Sequence, residues 1–142
     1  MIVNHVGLRV GDLDVSARFY EALGFTEAMS MDVDDEAAHL LLRVAPPLGL
    51  RAVYLTNGPF VLELLGFSGY PAALADRSMT ETGLTHLSLG VDDMALAKEA
   101  VTQHGGQVLD DTDLGVAVMV RDPDGQLIEL LDATRRPVTP ES

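Results

Sequence analysis

Cysteine and tryptophan are both absent from the 142 residues. Without a thiol the chain can form no disulfide, no thiolate nucleophile and no cysteine-type zinc site, so any metal must be held by histidine and carboxylate. Basic side chains are scarce: nine Lys and Arg stand against 22 Asp and Glu, giving a formal net charge of −13, and they are scattered from Arg9 to Arg136 without forming a run. A surface of that sign neutralises neither nucleic-acid phosphates nor anionic lipid, so nucleic acid and membrane are not expected as partners. A heavily phosphorylated ligand would equally lack a basic patch to meet it. Also missing are an apolar run approaching the roughly 20 residues of a membrane span and a charged leader before the first strand-like stretch; a cytoplasmic location is expected.

What is present is the balance of a globular protein, 47% hydrophobic and 22% charged, in a chain long enough for one compact core. The patterning predicts a single domain over residues 1–132, built of two modules at 2–66 and 83–132, with 133–142 as a tail carrying two prolines. Residues 2–10 have the pattern of a strand; Asp12 then caps a helix on which Val15, Phe19, Ala22 and Leu23 share a face, and Gly24 stops it. The same unit recurs at 83–91, where Asp92 or Asp93 caps a helix carrying Met94, Ala97 and Val101, and Gly105 stops it. "NHVGLRVGDLD" at 4–14 superposes on "THLSLGVDDMA" at 85–95 at one offset of 81 residues, which aligns His5 with His86 and suggests duplication. A second likeness, "GPFVLELL" at 58–65 with "DGQLIELL" at 124–131, aligns Glu63 with Glu129 at an offset of 66. The first half is therefore 15 residues longer between its His and its Glu. The excess falls in 34–50, where Ala37, Leu40, Leu41 and Val44 suggest a short inserted helix before Pro46-Pro47. Further strands are expected near 25–31, 51–56, 59–66, 107–112, 115–121 and 126–132, with Asp122-Pro123-Asp124-Gly125 as a tight turn. The predicted fold class is α+β, two β-α-β-β-β modules paired in one chain.

Two histidines and two glutamates thus occupy equivalent places in two copies of one pattern. Either histidine alone would be an ordinary strand residue, and either glutamate could face solvent from a half-buried strand. Yet Glu63 and Glu129 each sit mid-strand in an apolar run, where an unpaired carboxylate costs much to desolvate and calls for a positive partner. Taken jointly, His5, Glu63, His86 and Glu129 make an N2O2 set for one divalent ion, and Ni, Zn, Co, Mn and Fe(II) all suit it. Such an ion would act as a Lewis acid on an enolate or enediolate, while a carboxylate able to leave it serves as base. His39 and His104, on the insert and at a helix end, read as surface or capping residues. Tyr54, Arg51 and Arg77 could reach a ligand, although nothing in their spacing assigns them.

The repeated modules, with "NHVGLRVGDLDVSARFYEALGF", "LTHLSLGVDDM" and "DPDGQLIELLD", resemble the vicinal oxygen chelate superfamily, which includes glyoxalase I, extradiol dioxygenases and bleomycin resistance proteins. The resemblance covers about residues 2–132. Carried over position by position, the ligand set is similar to that of bacterial glyoxalase I enzymes, with His5 and His86 as nitrogen ligands and Glu63 and Glu129 as oxygen ligands and candidate proton carriers. It implies a metal-dependent lyase or isomerase acting on a small carbonyl or vicinal-oxygen substrate, and a homodimer. Two alternatives stand beside it: an extradiol-type dioxygenase using Fe(II), which would use only His5, His86 and Glu129, and a metal-free, bleomycin-resistance-like binding protein. The resemblance names neither the substrate nor the metal, nor does it say whether a thiol cofactor is used or whether the site is shared across a dimer.

Overall fold

The computed structural model describes residues 1–73 and 78–135, and the chain divides into two compact units, Met1–Leu74 and Ala75–Ser142. The class is α+β: each unit is a four-stranded mixed sheet with a helix against one face.

In the first unit the elements run β1 (Val6–Arg9), α1 (Leu13–Ala22), β2 (Thr26–Asp32), α2 (Asp35–Leu42), β3 (Leu50–Asn57) and β4 (Phe60–Phe67). They assemble in the order β1-β4-β3-β2. β1 lies parallel to β4 and the other pairs are antiparallel. Asp12 caps α1 by accepting the Val15 N–H at 3.0 Å, and Gly24, at φ +97°, ends it. α1 packs over β3 and β4, with Phe19 and Tyr20 buried against the face that carries Leu55, Leu62 and Leu64. The helix is turned from the predicted face: Ser16, Ala17 and Tyr20 are buried and Ala22 is exposed. Tyr20 supplies more area than Ala22, and its ring meets Phe19 and Phe25 edge-on.

Alternation along β4 puts Leu62 and Leu64 under α1 and sends Glu63 and Leu65 to the opposite face. The inserted helix is present as α2, capped by Asp34, and it covers part of that opposite face. Its inward residue is Ala38, packed with Leu48 and Leu50 against Leu65 and Phe67. Leu40 and Leu41 remain 71% and 83% exposed. The Asp35 carboxylate ties the insert down by accepting the N–H groups of Leu48 and Gly49 at 3.2 and 3.1 Å.

The second unit repeats the plan with β5 (Leu87–Val91), α3 (Met94–Gln103), β6 (Gln107–Val108), β7 (Ala117–Arg121) and β8 (Leu127–Asp132), in the order β5-β8-β7-β6. Asp93 rather than Asp92 caps α3, accepting from Leu96 N–H at 3.0 Å, and Gly105 follows it at φ +89°. Val101 joins Val118, Val120, Ile128 and Leu130 in the buried layer. The turn at 122–125 forms as expected, the buried Asp122 accepting the N–H groups of Asp124 and Gln126 at 2.9 Å.

Several strands are shorter than predicted, β1, β5 and β6 the most. β1 and β5 begin at Val6 and Leu87, so His5 and His86 each stand one residue ahead of their strand. Beyond Val108 the expected strand gives way to a 3-10 turn, Asp110–Thr112. There the Thr112 hydroxyl donates to Leu109 O at 2.7 Å and accepts the Met119 N–H, replacing ladder bonds with local side-chain ones. Part of the predicted connection, 74–77 with Arg77, and the tail from 136 onward lie outside the described residues. Among the described residues no helix is long and apolar enough to cross a membrane.

Candidate functional site

The register of the two sheets is equivalent around the singled-out residues. Gly7 pairs with Glu63 in the first and Ser88 with Glu129 in the second, so each glutamate lies opposite the residue two places after its histidine. The duplication seen in the sequence is a duplication of strand pairing.

In the first unit His5 and Glu63 meet. His5 Nε2 is 2.9 Å from Glu63 Oε2, with the side chains 36% and 14% exposed respectively. The other polar atom of each is held elsewhere. His5 Nδ1 donates to the Asn4 amide oxygen at 2.6 Å, and the Tyr54 hydroxyl donates to Glu63 Oε1 at 2.9 Å. Tyr54 reaches the carboxylate because β3 pairs with β4 so that Tyr54 lies directly opposite Glu63. Its ring also stands edge-on to the His5 imidazole, 5.8 Å between centroids. Partial burial, then the hydrogen bond to Glu63 and the charge of that carboxylate, hold the Tyr54 hydroxyl above the usual phenol range, so it remains a donor.

With Nδ1 carrying a proton, a neutral His5 directs the lone pair of Nε2 at an anionic oxygen. Two such atoms at 2.9 Å require a cation on or between them, a proton or a metal ion. The separation is also that of neighbouring ligands on one ion: with octahedral bonds near 2.1 Å, adjacent ligand atoms stand about 3.0 Å apart. These residues fit a divalent ion in donor chemistry, in the tautomer and in spacing.

In the second unit the tethers recur but no contact joins the imidazole to the carboxylate. His86 Nδ1 is bonded to the Thr85 hydroxyl at 2.9 Å, leaving Nε2 as the other ring nitrogen, and Glu129 Oε1 accepts from the Ser88 hydroxyl at 2.6 Å. Among the described residues, no three His, Asp or Glu side chains gather into a metal-holding group; the contact described between candidate ligands is that of His5 with Glu63. Each unit carries one candidate imidazole and one candidate carboxylate.

His39 and His104 take the capping roles expected of them: their Nδ1 atoms donate to the carbonyls of Val44 and Ala100, both at 2.8 Å. Arg51 is occupied on the α1 side of the sheet, paired with Asp32 at 3.0 Å and bonded to Ser30 at 3.1 Å. It lines a cavity of about 310 Å³ with Asp12, Asp14 and Glu27, away from Glu63. Arg9 lies over the Phe67 ring at 4.9 Å and donates to Tyr70 O at 3.0 Å. Sequence reasoning left Tyr54 unassigned and missed Asn4, Thr85 and Ser88. A signal for Tyr54 was available: Gly58-Pro59 forms a two-residue turn that pairs Asn57 with Phe60, and three steps back along the hairpin Tyr54 falls opposite Glu63.

Residues 2–130 match the family described as Glyoxalase/Bleomycin resistance protein/Dioxygenase superfamily. A lactoylglutathione lyase of Haemophilus influenzae is 30% identical over 149 residues, 93% of this chain and 93% of that protein. A probable chloroplastic lactoylglutathione lyase of Arabidopsis thaliana is 31% identical over 96% of this chain, which spans only 36% of that protein's length. Among solved structures, the trypanothione-dependent glyoxalase I of Leishmania major superposes with a TM-score of 0.67 at 30% identity, over 92% of this chain and 85% of that one.

Proposed function

Since this chain belongs to the Glyoxalase/Bleomycin resistance protein/Dioxygenase superfamily, we propose that it is a metal-dependent lyase or isomerase of the glyoxalase I type. Its substrate would be a small carbonyl compound with an oxygen on the neighbouring carbon. The observation that carries this reading is the recurrence, in both units, of a histidine with Nδ1 tethered and a glutamate with Oε1 tethered, leaving Nε2 and Oε2 for a shared ion. His5, Glu63, His86 and Glu129 together would hold one divalent ion, chosen among Ni, Zn, Co, Mn and Fe.

When bound, that ion supplies Lewis-acid stabilisation of the negative charge that builds on a carbonyl oxygen as the adjacent C–H is broken. The chain's own part is proton transfer. Glu129 or Glu63 takes the proton from the carbon beside the carbonyl and returns it to the former carbonyl carbon, so that substrate and product are isomers and no oxidant is consumed. Partial burial of Glu63 restricts water around the carboxylate and strengthens its interactions. Four donors leave two positions of an octahedron for a substrate with two neighbouring oxygens, a match in number to the vicinal-oxygen class.

The test is turnover of hemithioacetals formed from 2-oxoaldehydes and a panel of thiols, glutathione included, by protein loaded with each ion in turn. Formation of the 2-hydroxyacyl thioester, with partial solvent deuterium at the carbon that receives the proton, is expected. Oxygen consumption with a catechol and Fe(II), in place of isomerisation, would contradict it.

A further inference from the structure

Each glutamate receives a hydroxyl, and the two hydroxyls come from opposite sides. Glu63 accepts from Tyr54 on β3, its antiparallel neighbour, whereas Glu129 accepts from Ser88 on β5, its parallel neighbour. The position equivalent to Ser88 in the first unit is Gly7, which has no donor, and the one equivalent to Tyr54 in the second is Met119, which has none either. Simple inheritance from a duplicated module would put the same residue on the same side twice. Two different residues on different strands each engage one oxygen of the equivalent carboxylate, which is what a shared requirement at that carboxylate produces.

We propose that Tyr54 and Ser88 are matched positioning residues, each holding Oε1 of its glutamate so that Oε2 alone is presented to the ion. The inference rests on the metal reading above. A carboxylate on a three-bond stem has several rotamers and two equivalent oxygens; a short hydroxyl bond to one of them selects the orientation and restricts binding to the other. In the first unit that orientation is visible, because Oε2 points at His5 Nε2 while Oε1 is bonded to Tyr54. Partial burial lends the Tyr54 bond weight, since a hydrogen bond to an ionised group strengthens as water is withdrawn. Gly7 makes room rather than contact: a Cβ there would lie 3.9 Å from Glu63 Oε2 and 3.5 Å from Leu65 Cδ1, ordinary van der Waals distances. The Glu63 atom nearest that position is Oε2, so the glycine keeps clear the oxygen that the ion would take.

Stripped parent, Tyr54→Phe, Ser88→Ala and Ser88→Thr are titrated calorimetrically with Co(II) alone, and the visible absorption of the Co(II) forms is recorded. Tyr54→Phe and Ser88→Ala should each weaken binding about 10- to 100-fold, the usual scale for losing an outer-shell partner, with an altered Co(II) spectrum and near-parental melting of the stripped proteins. Ser88→Thr, which keeps the hydroxyl, should bind within a few-fold of the parent, which a role in packing alone would not predict. Parental affinity in Tyr54→Phe and Ser88→Ala, or a Ser88→Thr loss as large as that of Ser88→Ala, overturns the inference while the metal reading stands. A parent that takes up no Co(II) overturns both.

Discussion

Glu129→Gln keeps the volume of the side chain and removes its charge, so its effect isolates the carboxylate's role as ligand and base. Together with His86→Ala it is expected to abolish metal uptake and turnover. His39→Ala and His104→Ala should leave both intact, because those imidazoles are engaged with backbone carbonyls at helix ends. Equal uptake by all four variants in elemental analysis would contradict the site. A second residue-scale prediction concerns acid stability. The ammonium of Lys98, then the Gly115 N–H, hold the Asp113 carboxyl below the usual carboxylate range. A depressed folded value means the contribution is present above the unfolded value of about 3.9 and is lost as pH falls through the lower folded one. Asp113→Asn should therefore melt below the parent at pH 6 to 7, with a gap that narrows below about pH 4; a gap constant to pH 3 would exclude this origin. The repeat made the four candidate ligands legible in the sequence because it compares residue types at fixed offsets. Their hydroxyl partners were not legible that way: Tyr54 and Ser88 occupy non-equivalent positions, so only the strand register brings them into view.

Elements follow local rules where the rule is local. Asp12 and Asp93 cap their helices in matching geometry, each accepting an N–H three residues on at 3.0 Å. Asp93→Ala is expected to cost about 1 kcal/mol in denaturant unfolding, and a change below a few tenths would show that the cap contributes nothing. The insert is held by packing and by close backbone approach. A Cβ on Gly69 would fall 2.0 Å from Pro47 O and 2.9 Å from Leu48 O. Gly69→Ala must displace that backbone, so a marked loss of thermal stability is expected; a parental melting temperature would show that the loop yields freely. Helix and strand existence could be read from periodicity, but the buried face of α1 could not. Val15, Phe19 and Ala22 satisfy a helical stripe, yet the fold buries Ser16 and Tyr20 beside Phe19, because tertiary packing rewards the tyrosine's larger surface. The end of β6 escaped for another reason: Thr112 offers the backbone a local partner that competes with the sheet.

At the scale of the whole molecule, the duplicated plan divides the candidate ligands evenly, one imidazole and one carboxylate to each unit. The insert breaks that equivalence, since α2 covers the Glu63-bearing face of the first sheet alone. Family membership sets the fold and leaves the reaction to the site. The homodimer implied by the family resemblance is a further proposal, checked by sedimentation at micromolar concentration, where a species of twice the 15.2 kDa chain mass is expected and a monomer would contradict it. The central claim is that the paired donors hold one ion. Its most direct test is elemental analysis of untagged protein purified without chelators, followed by thermal melts of the stripped form with Ni, Zn, Co, Mn and Fe(II) added separately. About one ion per chain, with a melting temperature that rises on reloading, is the predicted result; a protein that carries no ion and is stabilised by none would contradict the account and favour a metal-free binding protein.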